Sequence, residues 1–369
     1  MEPIPALAPS PWAGLYKRSE TAKVRMYIIV GAGGTAAGMV MWGKLILAEF
    51  PEIELCVLEF PGRGNNNKGN YLVSVPAFMN AVREGIINPA RKEWFGVPFV
   101  ILGQSTGARL AYDIIRELAV HKLAPLKMYV VARSPPLVPD EKWIVEAPDD
   151  TMEYMNWITD ELLESQQEKL KRLWGMIPAE DLKEREIMFR ADLQLNAPMI
   201  DPLGATGCKV VAPDGKLVKK NVPTSDRIIQ ISREAGSILQ TTGQVYHGAA
   251  GNVWVELDPA AGEKNKGWLL LHGKSVGLDH QLLEEVPSEE PQYWKMPVPV
   301  QVHVSDKDRI QPMVDNTGRL RPQAEWAVLT TEEPQFVTHE GFLHDALLGE
   351  PAVCRHICND IIAMCNLRA

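Results

Sequence analysis

Short apolar runs alternate with helical patterns along the first third of the chain. The apolar runs are rich in β-branched and aromatic residues, which is typical of strands buried on both faces. A helix is predicted over residues 75–87, and another over the apolar positions that follow residue 107. The predicted strands lie at residues 24–30, 53–60, 97–103, 127–132, 297–304 and 336–337. This alternation predicts an α/β fold, with a mostly parallel sheet covered by helices on both faces.

Residues 141–197 break this pattern, because they predict several helices with no strand between them. The helices are predicted at residues 150–167, 168–174 and 178–196. Their flexible sulfur and large aromatic side chains suit an apolar ligand, so we predict a helical lid over a binding site. The alternative is that they form only the core of a small helical bundle. The predicted substrate-binding side chains of this region are Met152, Met155, Trp157, Trp174 and Met176.

Residues 203–290 change character again, with short β patterns separated by turn-rich sequence. The five strands are predicted at residues 209–211, 228–231, 244–246, 253–257 and 268–271. Close spacing of short strands predicts a small antiparallel β-barrel. It loosely resembles bacterial barrels of the Src-homology type. We expect an inserted module that binds or positions another molecule, rather than a second catalytic site.

The predicted layout has three parts. Residues 1–140 and 291–369 form the α/β core, residues 141–202 the helical lid, and residues 203–290 the inserted barrel module. The proline-rich residues 1–23 are predicted to be a surface arm. At 369 residues, the chain is long enough for one large α/β domain with such insertions.

Composition narrows the function classes. The chain is 46% hydrophobic and 23% charged, which is ordinary for a soluble globular protein. Its net charge of −9, without a basic segment, argues against nucleic acid as the main partner. We predict a cytoplasmic protein, because we find neither a signal peptide nor an apolar run long enough to span a membrane.

The five cysteines are odd in number and lack paired CxxC spacing, which favours reduced thiols. Cys354, His356 and Cys358 share one helical turn, but a zinc site there would lack further ligands nearby. We therefore expect no metal.

The sequence Gly103-Gln104-Ser105-Thr106-Gly107 lies between a predicted strand and a predicted helix. This is the pattern and the context of a nucleophile elbow, in which Ser105 is strained and a side chain at either glycine would collide with its neighbours. The helix amino terminus, including the Thr106 amide, would face developing oxyanion charge. The alternative is an ordinary glycine turn with a capping serine.

A serine nucleophile needs a base and an acid, which on this scaffold follow it in chain order at the ends of late strands. His344 lies in the loop after the last predicted strand, and His339 is its one rival. Asp306 and Asp308 both follow the strand at residues 297–304, so placement alone does not choose between them. The proline four residues after Asp308, in residues 308–312, would direct this loop towards the histidine.

A glycine-rich turn at residues 31–38 follows the first predicted strand. A dinucleotide or phosphate site is the first alternative, but the third glycine of GxGxxG is missing and no Gly-Lys-Ser/Thr follows. The other interpretation is that Ala32 or Gly33 supplies the second backbone donor of an oxyanion hole, which also requires small residues.

With these residues in view, the chain resembles a type II thioesterase of polyketide and nonribosomal peptide synthesis, a member of the α/β-hydrolase superfamily. The resemblance covers about residues 24–200 and 297–350. The matching motifs are the glycine loop at 29–35 with Trp42, Pro-Gly-Arg at 61–63, Gly-Gln-Ser-Thr-Gly at 103–107, Trp-Gly-Met-Ile-Pro at 174–178, Arg-Ala-Asp-Leu at 190–193, Asp-Lys-Asp at 306–308 with Trp326, and Gly-Phe-Leu-His at 341–344.

The resemblance implies that Ser105, His344 and the second aspartate, Asp308, form a triad that hydrolyses acyl thioesters. The acyl group would be carried on the phosphopantetheine arm of an acyl carrier protein or carrier domain, and no cofactor of the enzyme's own is implied. Gln104 replaces the family's histidine before the nucleophile, and Thr106 replaces its methionine. We expect Gln104 to contact the substrate.

Two other functions stay open on sequence grounds. The first is a carboxylesterase or acyltransferase that uses the same triad on a small ester or a non-water acceptor. The second is a non-catalytic binding protein that acts through the barrel.

Overall fold

The strands in the described part of the chain form two seven-stranded sheets. The structure is a computed structural model that describes residues 1–64, 66, 69–87, 92–133, 135, 137, 145–196, 207–248, 251–261, 266–286, 293–308 and 326–367. The strands are β1 (Ala13–Lys17), β2 (Val24–Ile29), β3 (Ile53–Leu58), β4 (Phe99–Gln104), β5 (Met128–Val131), β6 (Gly207–Val210), β7 (Lys216–Lys220), β8 (Ile229–Ser232), β9 (Ile238–His247), β10 (Val253–Leu257), β11 (Trp268–Leu270), β12 (Leu283–Val286), β13 (Val300–Ser305) and β14 (Gln335–His339).

The helices flank these strands. They are α1 (Val40–Glu49), α2 (Val75–Val82), α3 (Lys92–Phe95), α4 (Thr106–Val120), α5 (Thr151–Leu162), α6 (Gln167–Trp174), α7 (Ala179–Asn196) and α8 (Pro351–Met364). Helix α2 continues as a π-helical turn over Arg83–Ile87, within the predicted range of 75–87. Short 3₁₀ turns lie at Ala36–Met39, Glu164–Gln166, Pro259–Ala261, Gly273–Val276, Ala327–Leu329 and Leu347–Gly349.

The first sheet has the order β1-β3-β2-β4-β5-β13-β14. Its strands pair in parallel from β3 to β14, while β1 pairs with β3 antiparallel, so the sheet is mixed. Helices α1 and α8 contribute to the apolar core against it, through residues such as Trp42 and Ile357. Because β4, β13 and β14 are parallel, the loops after them meet at one edge of the sheet.

The amino-terminal residues are not the surface arm that we predicted. Ala13–Lys17 form β1, and Trp12 is buried with its ring in edge contact with Phe60 at 6.1 Å between centroids. Ile4 and Leu7 are also buried. The prediction failed because a five-residue edge strand containing a glycine has too weak an alternation to recognise.

Residues 145–196 form a helical segment that belongs to the same compact unit as the first sheet. Its core contains Tyr154, Ile158, Trp174 and Phe189. The helix predicted at 150–167 ends at Leu162 instead. The physical reason is that the Ser165 amide donates to Asp345 Oδ1 at 3.3 Å, so this part of the backbone leaves the helical ladder.

Residues 201–295, with Val120–Lys122, form the second compact unit. Its antiparallel sheet has the order β12-β6-β9-β10-β11-β7-β8, around a core that includes Trp254 and Trp268. Strands β7 and β12 were not predicted, and β9 is longer than expected. Among the described strands, no pairing joins β12 to β8, so these pairings do not establish the closed barrel that we predicted.

Three negative observations apply to the described ranges. No helix in them has both the length and the apolar character needed to cross a membrane. No group of three or more histidine, cysteine, aspartate or glutamate side chains in them is arranged to hold a metal ion. None of the five cysteines is in a disulfide, and four of them are buried.

Candidate active site

Ser105 lies at the sharp turn between β4 and α4 and has a φ of +48°, which is unusual for a residue with a side chain. The neighbouring glycines are required by close approach. A Cβ at Gly103 would lie 2.4 Å from the Ala108 Cα, and a Cβ at Gly107 would lie 2.3 Å from the Ile29 carbonyl oxygen. The turn therefore has the geometry of a nucleophile elbow.

A chain of hydrogen bonds joins Ser105, His344 and Asp308. His344 Nε2 lies 3.0 Å from Ser105 Oγ, and His344 Nδ1 lies 2.9 Å from Asp308 Oδ2. The His344 and Asp308 side chains are buried, with exposed fractions of 8% and 2%. The structure thus brings together the three residues of the predicted triad, which follow β4, β13 and β14 in the chain.

The two alternative residues, His339 and Asp306, form hydrogen bonds with other groups than Ser105 and His344. His339 is the last residue of β14, rather than a loop residue, and its Nε2 lies 2.9 Å from Nδ1 of the buried His303. Asp306 accepts a hydrogen bond from the Gly341 amide at 2.6 Å. Asp306 therefore holds the loop that carries His344. The proline turn of residues 308–312, on which part of our choice of Asp308 rested, lies outside the described residues apart from Asp308 itself.

A second pair of contacts orders the His344 loop. Ser305 Oγ donates to the Phe342 carbonyl at 2.5 Å, and Ser165 Oγ donates to Asp345 Oδ2 at 2.5 Å. The loop is therefore held on one side by the end of β13 and on the other by the connection between α5 and α6.

Of the predicted oxyanion donors, Thr106 directly follows Ser105, and Ala32 and Gly33 line the same cavity as Ser105. Thr106 is buried at the first position of α4, where backbone amides have no acceptor within the helix. The Gly33 amide, however, donates to Asp192 Oδ2 at 2.8 Å. Because this donor is already engaged, Ala32 is the remaining member of the pair predicted from the glycine loop.

Gln104 contacts the same loop. Its Oε1 accepts a hydrogen bond from the Gly31 amide at 3.3 Å. The glutamine side chain therefore connects the residue before Ser105 to the glycine loop, in addition to lining the cavity described next.

A cavity of about 350 Å³ opens at Ser105 and His344. Of the six side chains predicted to bind substrate, Gln104 and Trp174 line it. The remaining walls come from the glycine loop, the helical segment and the turn after His344. Lining side chains that we did not predict are Met39, Leu162, Leu163, Gln166, Leu170, Arg185, Phe189, Asp345 and Leu348.

The other four predicted substrate contacts are not in this wall, which corrects the prediction. Met155 is buried in the core of the helical segment, and Trp157 packs near Tyr154 at 5.9 Å between ring centroids. Met152 and Met176 are exposed to solvent, Met176 by 81%. An apolar residue type does not show which face of a helix meets the cavity and which meets the segment's own core.

Arg63 and Asp192 form a buried ion pair at the glycine loop. Burial alone lowers the pKa of the Arg63 guanidinium, but the Asp192 charge and its hydrogen bonds raise the pKa above the usual value. Arg63 therefore stays cationic. Both residues lie in segments that resemble family motifs, Pro-Gly-Arg and Arg-Ala-Asp-Leu, but neither motif indicates that the two residues meet.

Comparison with family models finds no match to this chain. Two curated proteins match part of it. The gramicidin S biosynthesis protein GrsT of Aneurinibacillus migulanus is 29% identical over 140 residues, which are 35% of this chain and 51% of GrsT. The AMB antimetabolite synthetase AmbE of Pseudomonas aeruginosa is 26% identical over 137 residues, which are 36% of this chain and 6% of AmbE. The chain thus spans about half of one relative and a small part of the other.

Solved structures match over most of the chain. The RedJ thioesterase of the prodiginine pathway in Streptomyces coelicolor has a TM-score of 0.52 and 15% identity, over 98% of this chain and 92% of RedJ. ClbQ, from the colibactin NRPS/PKS pathway, has a TM-score of 0.53 and 12% identity, over 94% of this chain and all of ClbQ, 100%. The fold is that of the α/β-hydrolases. At these identities, the likeness shows the fold alone.

Proposed function

We propose that this protein is a serine hydrolase that cleaves acyl thioesters carried on the phosphopantetheine arm of a carrier protein or carrier domain. The observation that carries the proposal is the hydrogen-bonded chain of Ser105, His344 and Asp308, of which Ser105 and His344 line the cavity. The same three groups in this order are the parts of a nucleophilic acyl-transfer mechanism.

In the acylation step, His344 Nε2 takes the proton of Ser105 Oγ as the oxygen attacks the thioester carbonyl carbon. The Nδ1–H of His344 donates to Asp308, which fixes the tautomer and stabilises the imidazolium. The Thr106 and Ala32 amides would hold the carbonyl oxygen as it becomes an oxyanion. The carbon–sulfur bond then breaks, and the departing thiolate takes the proton from His344.

Deacylation repeats the sequence with water as the nucleophile. His344 removes a proton from water, the hydroxide adds to the acyl carbon, and Ser105 Oγ leaves with the proton that His344 returns. The product is a carboxylic acid, and the enzyme is restored. This scheme needs no redox group, because acyl transfer from sulfur to oxygen changes no oxidation state, and His344 carries each proton. The pantetheine thiol arrives with the substrate.

Several observations support a biosynthetic thioester as the substrate. The segments at residues 29–35, 103–107 and 341–344 contribute residues to one cavity. Asp192 of the segment at 190–193 accepts a hydrogen bond from the Gly33 amide. The partial match to the gramicidin S biosynthesis protein and the fold shared with RedJ agree with this substrate class. The cysteine thiols, none in a disulfide, favour a reducing compartment such as the cytoplasm.

The test is the release of acyl groups from a panel of acyl-carrier thioesters by the wild-type protein and by Ser105→Ala. We expect Ser105→Ala to lower kcat by at least about 10⁴-fold. The exposed Ser275→Ala, in the second compact unit, is the matched serine control and should keep the wild-type rate. A Ser105→Ala protein with a tenth of the wild-type rate would refute the mechanism.

The same panel separates the alternatives. Equal kcat/KM on simple esters of the same acyl groups would indicate a carboxylesterase. Faster turnover when an alcohol or amine acceptor is added would indicate an acyltransferase. No turnover and no labelling of Ser105 by a fluorophosphonate probe would leave only a binding function.

A further inference from the structure

The glycine loop beside Ser105 is held by hydrogen bonds on both sides of Ala32. The Gly31 amide donates to Gln104 Oε1, and the Gly33 amide donates to Asp192 Oδ2 at 2.8 Å. Within the described part of the chain, the Ala32 amide has no hydrogen-bond acceptor. The hydrogen bonds of the Gly31 and Gly33 amides, on either side, therefore restrict the orientation of the Ala32 amide.

Helix α7 contacts this loop directly. Gly33 has a φ of +68°, and a Cβ built on it would lie 2.1 Å from Cζ of the Phe189 ring. Asp192 lies on the same helix, one turn beyond Phe189. Helix α7 thus packs against the loop through Phe189 and accepts a hydrogen bond from the Gly33 amide through Asp192.

Arg63 fixes the Asp192 carboxylate in place. Its Nη1 donates to Oδ2 at 2.9 Å and its Nη2 donates to Oδ1 at 2.5 Å, and both side chains are buried, each 7% exposed. The guanidinium lies 5.9 Å from the ring centroids of both Phe60 and Tyr71. A bidentate pair packed in this way allows the carboxylate little freedom.

The charge of this pair matters as much as its geometry. Asp192 is buried and accepts a hydrogen bond from the Gly33 amide, next to the proposed oxyanion donor Ala32. A carboxylate there would disfavour the negative charge that develops in the transition state, unless a cation neutralises it. Arg63 supplies that cation.

We propose that Arg63 and Asp192 are positioning residues for the oxyanion hole. Asp192 holds the Gly33 amide so that the Ala32 amide faces the substrate carbonyl, and Arg63 orients Asp192 and cancels its charge. The inference rests on the proposed function, because it assumes that an oxyanion forms at Ser105. It adds that helix α7 helps to position the oxyanion hole, in addition to lining the cavity.

The experiment compares Asp192→Asn, Arg63→Gln and the double variant in thioester hydrolysis. Asn keeps an acceptor for the Gly33 amide but loses the bidentate pair, so we expect kcat to fall by about 10-fold to 100-fold with KM within about threefold. Arg63→Gln leaves the carboxylate charge beside the oxyanion, so its kcat should fall further. The double variant removes both charges and should recover at least about tenfold over Arg63→Gln.

Binding of an alkyl boronic acid gives a second readout. The boronate forms a tetrahedral adduct with Ser105 that carries the oxyanion charge, so its affinity should fall by about the same factor as kcat. Lys183→Gln is the matched control, because it removes an ion pair with Glu186 on the same helix without contacting the glycine loop. It should leave kcat and boronate affinity unchanged.

Two results would overturn the proposal. One is that the variants lose thermal stability while kcat and boronate affinity stay at wild-type values, which would make the pair purely structural. The other is that the double variant is no more active than Arg63→Gln, which would exclude the charge effect. If Arg63→Gln does not fold, the near-isosteric Asp192→Asn is the deciding variant. An unchanged kcat of Asp192→Asn would overturn the proposal, and a lowered kcat would support it. A wild-type protein that hydrolyses no thioester and is not labelled at Ser105 would refute the proposed function instead.

Discussion

His344 Nε2 lies 3.0 Å from Ser105 Oγ, although 239 positions separate the two residues in the sequence. The whole second compact unit and the helical segment lie between them along the chain. The contact forms because β4 and β14 belong to one sheet and both loops leave it at the same edge. The proposed chemistry therefore depends on the sheet order more than on any local motif.

The two aspartates after β13 should differ in their effect on turnover. Asp308→Asn should lower kcat by about 10³-fold to 10⁴-fold, because the amide favours the wrong tautomer of His344. Asp306→Asn should cost less than about tenfold, since its amide oxygen can still accept from Gly341. Steady-state kinetics of both variants on one acyl-carrier thioester measure the difference. The opposite ranking would assign the acid to Asp306.

The cavity predicts a dependence on acyl chain length. Each added CH₂ that is buried against the apolar side chains of the cavity should raise kcat/KM by about fourfold, since burial contributes about 0.8 kcal/mol per CH₂. The rise should stop when the cavity of about 350 Å³ is full. A series of straight-chain acyl thioesters on one carrier measures the slope and the length at which it ends.

Leu170 and Leu173 on α6 offer a matched pair for this test. Leu170 lines the cavity, whereas Leu173 is exposed and does not. Leu170→Ala should move the preferred acyl length upward by roughly three carbons, the number of carbon atoms removed. Leu173→Ala should leave it unchanged. A chain-length profile that is flat, or that both variants shift equally, would show that this cavity does not hold the acyl chain.

His303 makes stability dependent on pH. Burial, followed by charge repulsion with His339, His356 and Lys127, holds the pKa of His303 well below its usual value. The unfolded chain therefore binds a proton at His303 near pH 6.5, while the folded protein does not. The stability that this group contributes is fully present above about pH 6.5 and is lost as the pH falls below it.

We expect the urea midpoint of the wild-type protein to fall between pH 7.5 and 5.5, by the equivalent of about 1 kcal/mol for His303 alone. His303→Gln should reduce this pH dependence, and the exposed His280→Gln should not. Equal pH dependence in wild type and His303→Gln would contradict the assignment. His339 has a lowered pKa for the same reasons, first burial and then His356, and should add to the effect.

Much of the site could be predicted because its parts follow recognisable strands. Ser105, Asp308 and His344 each come after an apolar run, and a parallel sheet brings such loops to one edge. The contact between Asp192 and Gly33 could not be predicted. It joins two residues 159 positions apart through a helix whose apolar positions leave its orientation open.

The failed predictions have related causes. Trp174 and Met155 were both predicted to line the cavity, yet only Trp174 does. Both lie on helices that also bury a core of their own, so the residue type alone does not show which side chain reaches the cavity. Strands β1, β7 and β12 are short and lie in turn-rich sequence. Their pairing partners, rather than their own composition, make them strands.

The proposed mechanism requires the acyl group to be transferred to Ser105. Intact-mass analysis and peptide mapping after brief, quenched incubation with acyl-carrier thioesters test it most directly. We expect a mass increase of one acyl group on the peptide containing Ser105, together with a free thiol on the carrier. With Ser105→Ala we expect no adduct and an intact acyl-carrier. An adduct on another residue, or equal deacylation of the carrier by Ser105→Ala, would contradict it.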